Sequence, residues 1–286
     1  MLVSTLSLLR TATEAGYAIG AFNVYNLEGA RAVVAASEAN RSPAILQILP
    51  RAFQLGGAPL VKLCLAAARD ASVPISVHLD HSRSPDDIRA VLSAGLSSIM
   101  ADGSHLSYQD NVAFTRAIAH MVHEQGGVIE GELGQLTETE DALPVSAHKE
   151  GLTDPDQASD FVAETGIDAL AVCIGNVHGR YSREPRLDFD RLAAIRSAVA
   201  VPLVLHGASG LSEPSVRRSI QLGISKFNVN TELRHAYLGT LREFLHSSPS
   251  TDLPDLMQGA ITGMSKVVSA KLRLFGSVGR ATAVSN

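Results

Sequence analysis

Short apolar runs alternate along the chain with longer segments in which apolar positions recur at helical spacing. Runs of four to eight apolar or alternating residues are typical of strands, and spacings of three and four residues are typical of amphipathic helices. The first three such pairs are YAIGAFNV with LEGARAVVAASEAN, PAILQIL with PLVKLCLAAARDA, and PISVHLD with SPDDIRAVLSAG. The pattern therefore predicts a succession of βα units.

The succession continues to eight strands, because LSSIMAD, GVIEGELG, DALAVCIG, VPLVLHG and ISKFNVN follow in the same manner. Helix starts are marked by Ser84 before Pro85 and by Ser212. Eight βα units close a parallel barrel, and such barrels often run to roughly 250 residues as one domain. We therefore predict an α/β fold, a single (β/α)8 TIM barrel over residues 1–286, with a C-terminal helical extension beyond segment 247–256.

Composition narrows the classes of protein that fit this pattern. Of 286 residues, 45% are hydrophobic and 19% charged, and the net charge of −5 gives no reason to expect a nucleic-acid partner. The two cysteines, Cys64 and Cys173, lie in apolar segments and are predicted to be buried free thiols. Neither a signal-peptide pattern nor an apolar run of membrane-spanning length is present, so we expect a cytoplasmic protein with no membrane partner.

Polar side chains collect at the predicted strand ends, which is where parallel barrels carry their chemistry. Histidines close three different strands, and three imidazoles that converge around an open fourth position form a catalytic zinc arrangement. The other histidines are expected to be ordinary hydrogen-bonded or surface residues. The strand-end residues are His78, Asp80, His81, Asp102, Glu130, Glu132, His178, His206, Asn228 and Asn230.

Two glycine- or asparagine-bearing turns, HGASG at 206–210 and FNVNTE at 227–232, follow strands seven and eight. Backbone N–H groups of such turns and of the helix starts behind them can bind a phosphate. The HGR sequence at 178–180 can add another N–H group, although each glycine taken alone is more often a turn residue. A Lewis acid, a carboxylate and a phosphate site together suit enediolate chemistry on a phosphorylated ketone.

These motifs resemble those of the zinc-dependent class II fructose-bisphosphate and tagatose-bisphosphate aldolases, most closely the tagatose branch. The resemblance runs essentially from end to end, in the family's order and approximate spacing. It is carried by GYAIGAFNVYNLE, HLDH, MADGSHL, EGELGQL, ETGIDALAVCIGNVHGRY, LDFDRL, PLVLHGASGL and KFNVNTELRHA.

The resemblance implies reversible cleavage of a ketose 1-phosphate or 1,6-bisphosphate to dihydroxyacetone phosphate and an aldehyde, by a homodimer or homotetramer. It implies that His81, His178 and His206 hold Zn²⁺, and that Asp80 exchanges a proton with the aldehyde oxygen. Glu140, in the patternless stretch 135–153, matches the mobile-loop carboxylate that moves the carbon-bound proton. The implied donor-phosphate residues, with a Na⁺ or K⁺ ion nearby, are Gly179, Gly207, Ala208, Ser209, Asn228, Val229, Asn230 and Thr231.

Asp102 and Glu132 match positions that can hold a displaced or second metal ion in relatives. Orientation of the metal-binding histidines is the alternative role for both carboxylates. Both readings stay open from the sequence.

Two stretches depart from the family pattern. Thr137 and Glu138 replace a glycine pair, which predicts a stiffer loop around Glu140. The sequence QILPRAF at 47–53 replaces small polar residues, so Leu49 and Arg51 are expected near the aldehyde, where Arg51 could bind a phosphate, sulfonate or carboxylate. A plain surface arginine is the alternative for Arg51.

Other functions fit the same motifs less well. A metal-dependent barrel hydrolase would leave the phosphate turns without a purpose, and a noncatalytic sugar-phosphate-binding barrel would not need Asp80 beside three histidines. An aldolase for a different acidic ketose phosphate also fits. We therefore expect an aldehyde half that differs from glyceraldehyde 3-phosphate or is broader than it.

Overall fold

The computed structural model shows a closed barrel of eight parallel strands, ordered β1 to β8 around the ring. It describes residues 1–134, 151–176, 185–247 and 252–281. This architecture confirms the predicted (β/α)8 TIM barrel. The strands are β1 (Ile19–Asn23), β2 (Ala44–Ile48), β3 (Ile75–Ser82), β4 (Ser98–Ala101), β5 (Val128–Leu133), β6 (Ala169–Val172), β7 (Leu203–Leu205) and β8 (Ile224–Val229).

Helices lie between successive strands and extend beyond the last one. The predicted C-terminal extension is confirmed as a final helix of 23 residues. The helices are α1 (Thr5–Ala15), α2 (Leu27–Ala39), α3 (Pro50–Asp70), α4 (Pro85–Ser93), α5 (Tyr108–His123), α6 (Pro155–Thr165), α7 (Phe189–Ala198), α8 (Glu213–Gln221), α9 (Thr231–Ser247) and α10 (Leu253–Phe275).

Helix starts follow the serine signals of the sequence. The Ser84 hydroxyl accepts a hydrogen bond from the Asp87 N–H at 3.1 Å, and Ser212 accepts one from the Ser215 N–H at 3.4 Å. A serine oxygen in this position satisfies one of the N–H groups that a helix leaves unpaired at its start. The two predicted caps are therefore confirmed.

Helix α3 begins earlier than the sequence pattern indicates. The stretch expected to form the open rim after β2 is instead the first part of this helix, starting at Pro50. The helix is interrupted at Gly57, whose φ of 55° and ψ of −156° are non-helical, and Pro59 follows directly. Gly57 adopts a backbone conformation that side chains disfavour, so it separates the segment that carries Arg51 from the rest of α3.

The barrel interior is divided into an apolar lower half and a polar upper half. Leu8 and Leu9 of α1, a helix that the pattern did not predict, pack against the lower half. The lower cluster also contains Ile19, Ala21, Ile45, Ala169, Ala171 and Val204. Since alternate residues of a strand face the same side, the next inward position of each strand reaches the upper half. Those positions bring Asn23, Gln47, His206 and Asn228 together.

Helix α10 covers the outer face of the barrel next to α2 and β1. Phe275 is buried at its end and stacks on Phe227 of β8, with ring centroids 4.8 Å apart and planes inclined by 13°. Stacked aromatic pairs add to the free energy of apolar burial, so this contact fixes the last turn of α10 to the barrel. Within the described ranges, the helices all fall short of the length and apolarity needed to cross a bilayer.

The thiols generate a prediction about reactivity, since Cys64 and Cys173 are both buried and neither forms a disulfide, as the sequence indicated. Burial raises the pKa of the Cys64 thiol to about 12 and that of Cys173 to about 11. The thiolate is the reactive form, so both thiols should resist a disulfide reagent at pH 8 in the folded protein and react after denaturation. Rapid titration of two thiols per chain in native buffer would contradict this.

Candidate active site

A cavity of about 690 Å³ opens at the carboxyl ends of the strands. Most residues that the sequence placed in the site line this cavity. They are Arg51, Asp80, His81, Asp102, Glu132, Gly207, Ser209, Asn228, Asn230 and Thr231. Ala208 and Val229 are buried beside the lining, where they could contribute backbone groups. The predicted residues Glu140, His178 and Gly179, and the departure at Thr137 and Glu138, lie outside the described residues.

Two of the three predicted metal-binding histidines lie beside each other, with His81 in the cavity lining and His206 fully buried. His81 Nε2 lies 2.8 Å from His206 Nδ1, and the two rings are nearly perpendicular, at 87°. The backbone of His81 has a φ of 48°, and the pairing of β3 with β4 shifts register between Leu79 and Ser82. A bulge of this kind redirects a side chain, and residues in such unfavourable conformations cluster at functional sites.

Asp80 is held by three side-chain amides. Its Oδ2 accepts hydrogen bonds from Asn23 Nδ2 at 3.0 Å and Gln47 Nε2 at 3.2 Å, and its Oδ1 accepts one from Asn228 Nδ2 at 3.0 Å. The carboxyl is only 2% exposed. Amide N–H donors stabilise the charged form of a carboxylate and fix its plane. The Asp80 carboxylate is therefore oriented with Oδ1 3.9 Å from His81 Nε2.

Asp102 forms a second anchored carboxylate on the far side of His81. Its Oδ2 lies 3.3 Å from His81 Nδ1 and accepts from Arg83 Nε at 3.0 Å, while Oδ1 accepts from the Ser104 hydroxyl at 2.6 Å. Burial alone would raise the pKa of the Asp102 carboxyl. The hydrogen bond and charge of His81, together with Ser104 and Arg83, outweigh burial and hold that pKa well below its usual range.

The electrostatic field around His81 favours positive charge. Burial lowers the pKa of the His81 imidazole, but the charge of Asp80, the hydrogen bond to Asp102 and the charge of Glu132 outweigh it and raise the pKa to about 10. Burial likewise raises the pKa of the Glu132 carboxyl to about 8, against the opposing charge of His81. Carboxylates crowded around one imidazole form a site that attracts a cation.

A buried ion pair lies one layer below the histidines. Lys226 Nζ is 2.7 Å from Glu130 Oε2, and Glu130 Oε1 is 2.9 Å from His206 Nε2. His78, which the sequence placed at the end of β3, lies at this deeper level, with Nδ1 2.8 Å from the Ser98 hydroxyl and Nε2 3.7 Å from Glu130. His78 and Glu130 thus face the barrel interior.

The two predicted phosphate turns lie at the opposite side of the cavity. Gly207 and Gly210 have φ values of 65° and 90°, so both turn positions use a conformation that favours glycine. The Gly210 N–H donates to Glu232 Oε1 at 3.1 Å, and Glu232 also pairs with Lys271 of α10 at 2.7 Å. Helix α9 begins at Thr231 and directs its first N–H groups toward the same rim. The arrangement presents backbone N–H groups of the kind that can bind an anion.

The described side chains fit a divalent metal ion. Asp80, His81 and His206 offer ligand atoms that all lie within 4.8 Å of one another, and His81, Asp102 and Glu132 form a second such group. Glu132 Oε1 is buried and has no hydrogen-bond partner among the described residues, which leaves an oxygen available as a ligand. Imidazole nitrogens and carboxylate oxygens are the donors that zinc takes at catalytic sites.

Several residues of the site were not predicted. Asn23 and Gln47, which hold Asp80, and Lys226, which pairs with Glu130, were given no role in the site. Each is a polar residue inside a fully buried strand, in AFN, ILQI and SKFN respectively. Buried polar groups need hydrogen-bond partners. A polar residue within an otherwise apolar strand was therefore a sequence signal for a residue of the site.

Comparison with known proteins identifies a family. The profile of class II fructose-bisphosphate aldolase matches residues 3–280. The YdjI aldolase of Escherichia coli K12 is 33% identical with a TM-score of 0.86, over 98% of this chain and 100% of that one. A Coccidioides immitis protein assigned as a fructose-1,6-bisphosphate aldolase is 37% identical with a TM-score of 0.90, over 97% and 98%.

A more distant similarity concerns the fold alone. The fructose-bisphosphate aldolase of Campylobacter jejuni is 21% identical to this chain, with a TM-score of 0.81 over 97% of this chain and 96% of that one. The same barrel is therefore built from a largely different set of residues.

The convergence of His81 and His206 generates a prediction about metal binding. We expect the wild-type chain to bind a divalent metal and His206→Ala to bind none, because one of the two facing imidazoles is removed. His246→Ala is the matched control, since His246 is exposed near the end of α9. Equilibrium dialysis followed by metal analysis measures both, and a wild-type metal content in His206→Ala would refute this role.

Proposed function

The chain belongs to the class II fructose-bisphosphate aldolase family, and from that premise we propose that it cleaves a ketose 1-phosphate or 1,6-bisphosphate reversibly to dihydroxyacetone phosphate and an aldehyde. Family and structural similarity establish a lyase that acts on a small sugar phosphate. The observation that carries the proposal is the convergence of Asp80, His81 and His206 on a cavity whose other side is formed by the two phosphate turns.

The proposed metal is zinc, held by His81, His206 and His178, the last of which lies outside the described residues. When bound, zinc supplies Lewis acidity that polarises the ketone carbonyl and makes the adjacent carbon acidic. Asp102 and Glu132 serve in this proposal either as alternative metal ligands or as acceptors that orient His81. Asp102 is the better placed for orientation, because His81, Arg83 and Ser104 already occupy its oxygens.

Asp80 is the proposed general acid and base at the aldehyde oxygen. In cleavage its carboxylate takes the proton of the hydroxyl at C4, the C3–C4 bond breaks, and the electron pair passes toward the ketone carbonyl. The three amides that hold Asp80 keep it an acceptor aimed into the cavity. In condensation the same group returns the proton to the new alkoxide. Glu140 is proposed to move the proton at C3.

The donor phosphate is proposed to bind between the Gly207–Ser209 turn and the Asn228–Thr231 turn, with Gly179 contributing from outside the described residues. The N–H groups of the first turn and the start of α9 bring partial positive charge to this side. The Tyr25 hydroxyl donates to Asn230 Oδ1 at 2.9 Å and so fixes the second turn. A monovalent cation, Na⁺ or K⁺, is part of the proposed phosphate site.

The aldehyde half is proposed to carry an anionic group. Leu49, Pro50 and Arg51 line the cavity on the α3 side, and Arg83 and Arg234 line it as well. Arg51 is exposed at the first turn of α3, where an incoming phosphate or carboxylate can meet its guanidinium in forked geometry. We therefore propose that the aldehyde substrate is acidic, and that it either differs from glyceraldehyde 3-phosphate or is one of a broader range that includes it. Assignment of the chain to the tagatose branch depends on the identity of this aldehyde.

A coupled assay of dihydroxyacetone phosphate release across a panel of ketose phosphates tests the proposed function. The panel should include fructose and tagatose 1,6-bisphosphates, their 1-phosphates and ketose 1-phosphates that end in a carboxylate. Release from at least one of them supports the proposal. If the protein binds dihydroxyacetone phosphate but neither releases it from any ketose phosphate nor exchanges its C3 proton with solvent, the protein is a noncatalytic sugar-phosphate-binding protein instead.

The role of Asp80 generates a prediction about cleavage. Asp80→Asn should keep its metal but lose cleavage by roughly two to four orders of magnitude, because an amide cannot exchange the proton. Asp86→Asn, at the exposed start of α4, is the matched control and should cleave at the wild-type rate. Steady-state rates together with metal content measure this, and unimpaired cleavage in Asp80→Asn would exclude Asp80 as the acid and base.

The role of Arg51 generates a prediction about selectivity. Arg51→Ala should raise KM for a ketose phosphate with a charged distal end by about tenfold, which corresponds to about 1.4 kcal/mol of lost binding. Proton exchange into dihydroxyacetone phosphate should be unchanged, because the donor half binds on the other side. Arg69→Ala, exposed in the last turn of α3, is the control. An unchanged KM for every ketose would make Arg51 a plain surface residue.

A further inference from the structure

The Lys226–Glu130 ion pair spans the barrel interior below the proposed metal site. Lys226 is fully buried and Glu130 is 2% exposed, and their strands, β8 and β5, are not neighbours in the ring. The side chains therefore meet across the barrel rather than along one pair of strands. Their separation of 2.7 Å is that of a charge-assisted hydrogen bond.

The strands themselves give no local reason for charges at these positions. In the strand pairing, Lys226 lies opposite Ile19 and Val204, and Glu130 lies opposite Met100 and Ala169. A buried ion pair contributes little to stability, since desolvation of both charges offsets their attraction. An apolar pair of similar volume would serve the fold at least as well.

The second oxygen of Glu130 connects the pair to the metal-binding histidine. Glu130 Oε1 lies 2.9 Å from His206 Nε2, while His206 Nδ1 faces His81 Nε2 at 2.8 Å. An ammonium group only donates hydrogen bonds, and an ionised carboxylate only accepts them. With Lys226 donating to Oε2, Glu130 Oε1 accepts from His206 Nε2–H at 2.9 Å, which is a closer contact than the 3.3 Å between His206 Nε2 and the Asn228 amide nitrogen. The lone pair of His206 therefore remains on Nδ1.

The other histidine is oriented in the complementary sense. His81 places Nδ1 3.3 Å from Asp102 and presents Nε2 to His206. Each imidazole thus has one ring nitrogen beside a carboxylate and directs its other ring nitrogen toward the neighbouring histidine. The two rings use different nitrogens, so each needs its own carboxylate to select the tautomer.

We propose that Lys226 and Glu130 are positioning residues that fix the Nδ1 lone pair of His206 toward the metal. This inference rests on the proposed function only in that His206 binds a metal ion. Lys226 holds Glu130 in place, and Glu130 holds the ring of His206 in one tautomer and one orientation. Neither residue touches the substrate.

Zinc affinity of four variants tests the proposal, measured by competition with a chromogenic chelator. Glu130→Gln should bind zinc about 10- to 100-fold more weakly, because an amide can donate or accept and no longer selects the tautomer. Lys226→Met should show the same loss and a lower denaturation midpoint, since it leaves a buried carboxylate without its cation. The double variant Lys226→Met/Glu130→Gln should recover stability relative to Lys226→Met but remain weak for zinc.

The fourth variant separates stability from positioning. Val268→Ala creates a cavity at a fully buried position of α10, away from the barrel interior, and should lower the denaturation midpoint while zinc affinity stays at the wild-type value. A double variant that binds zinc as tightly as wild type, or a Val268→Ala variant that loses as much affinity as Glu130→Gln, would overturn the proposal.

Histidine nitrogen NMR of the metal-free protein gives an independent readout. The wild-type spectrum should show the His206 proton on Nε2, and the double variant should show both tautomers. A single Nε2–H tautomer in the double variant would show that the pair does not select it. Failure of the proposed aldolase function would give a different result. The wild-type protein would then cleave no ketose phosphate, but it would still bind zinc tightly and the variants would still differ from it in zinc affinity.

Discussion

A closed barrel gives an ionisable side chain in its interior no access to solvent through the wall, so each charge there needs a partner inside the ring. The lower half of this barrel meets that constraint with apolar residues around Leu8 and Leu9. In the upper half, hydrogen bonds between neighbouring inward-facing side chains supply the partners that the buried charges need. Since an unpaired buried charge is strongly destabilising, the polar groups can persist only as a connected set.

That connection also determines the chemistry that the rim can perform. Asp80 accepts from amides of three different strands, β1, β2 and β8, so its position depends on closure of the barrel rather than on any local turn. His206 is bounded by Glu130 below and His81 beside it. Preorganised groups need no rearrangement at the moment of reaction, which is the main physical means by which a static site accelerates a reaction. The same hydrogen bonds thus satisfy the buried polar groups and orient the proposed catalytic groups.

The sequence predicts the architecture well because hydrophobic periodicity is local, and eight repeats leave few alternatives to a closed barrel. It also predicts which rims carry chemistry, since polar residues at strand ends are visible directly. The partners of those residues are harder to predict, because Asn23 and Gln47 meet Asp80 only after distant strands close into a ring. Helix α1 was missed because its apolar face is short, and the start of α3 was misplaced because Gly57 and Pro59 resemble a loop.

The two halves of the cavity differ in how tightly the fold constrains them. The proposed donor side is built from β7, β8 and the start of α9, where Glu232 and Lys271 tie the predicted phosphate turn to the final helix. The proposed aldehyde side is built in part by the first turns of α3, which Gly57 separates from the packed remainder of that helix. A substitution at Arg51 therefore perturbs an exposed segment, whereas one at Asn228 removes a hydrogen bond from Asp80. Under the proposed function, acceptor specificity can change on this scaffold without disturbing the buried network, which is consistent with the predicted departure from the family pattern at Leu49 and Arg51 beside donor turns that keep the pattern.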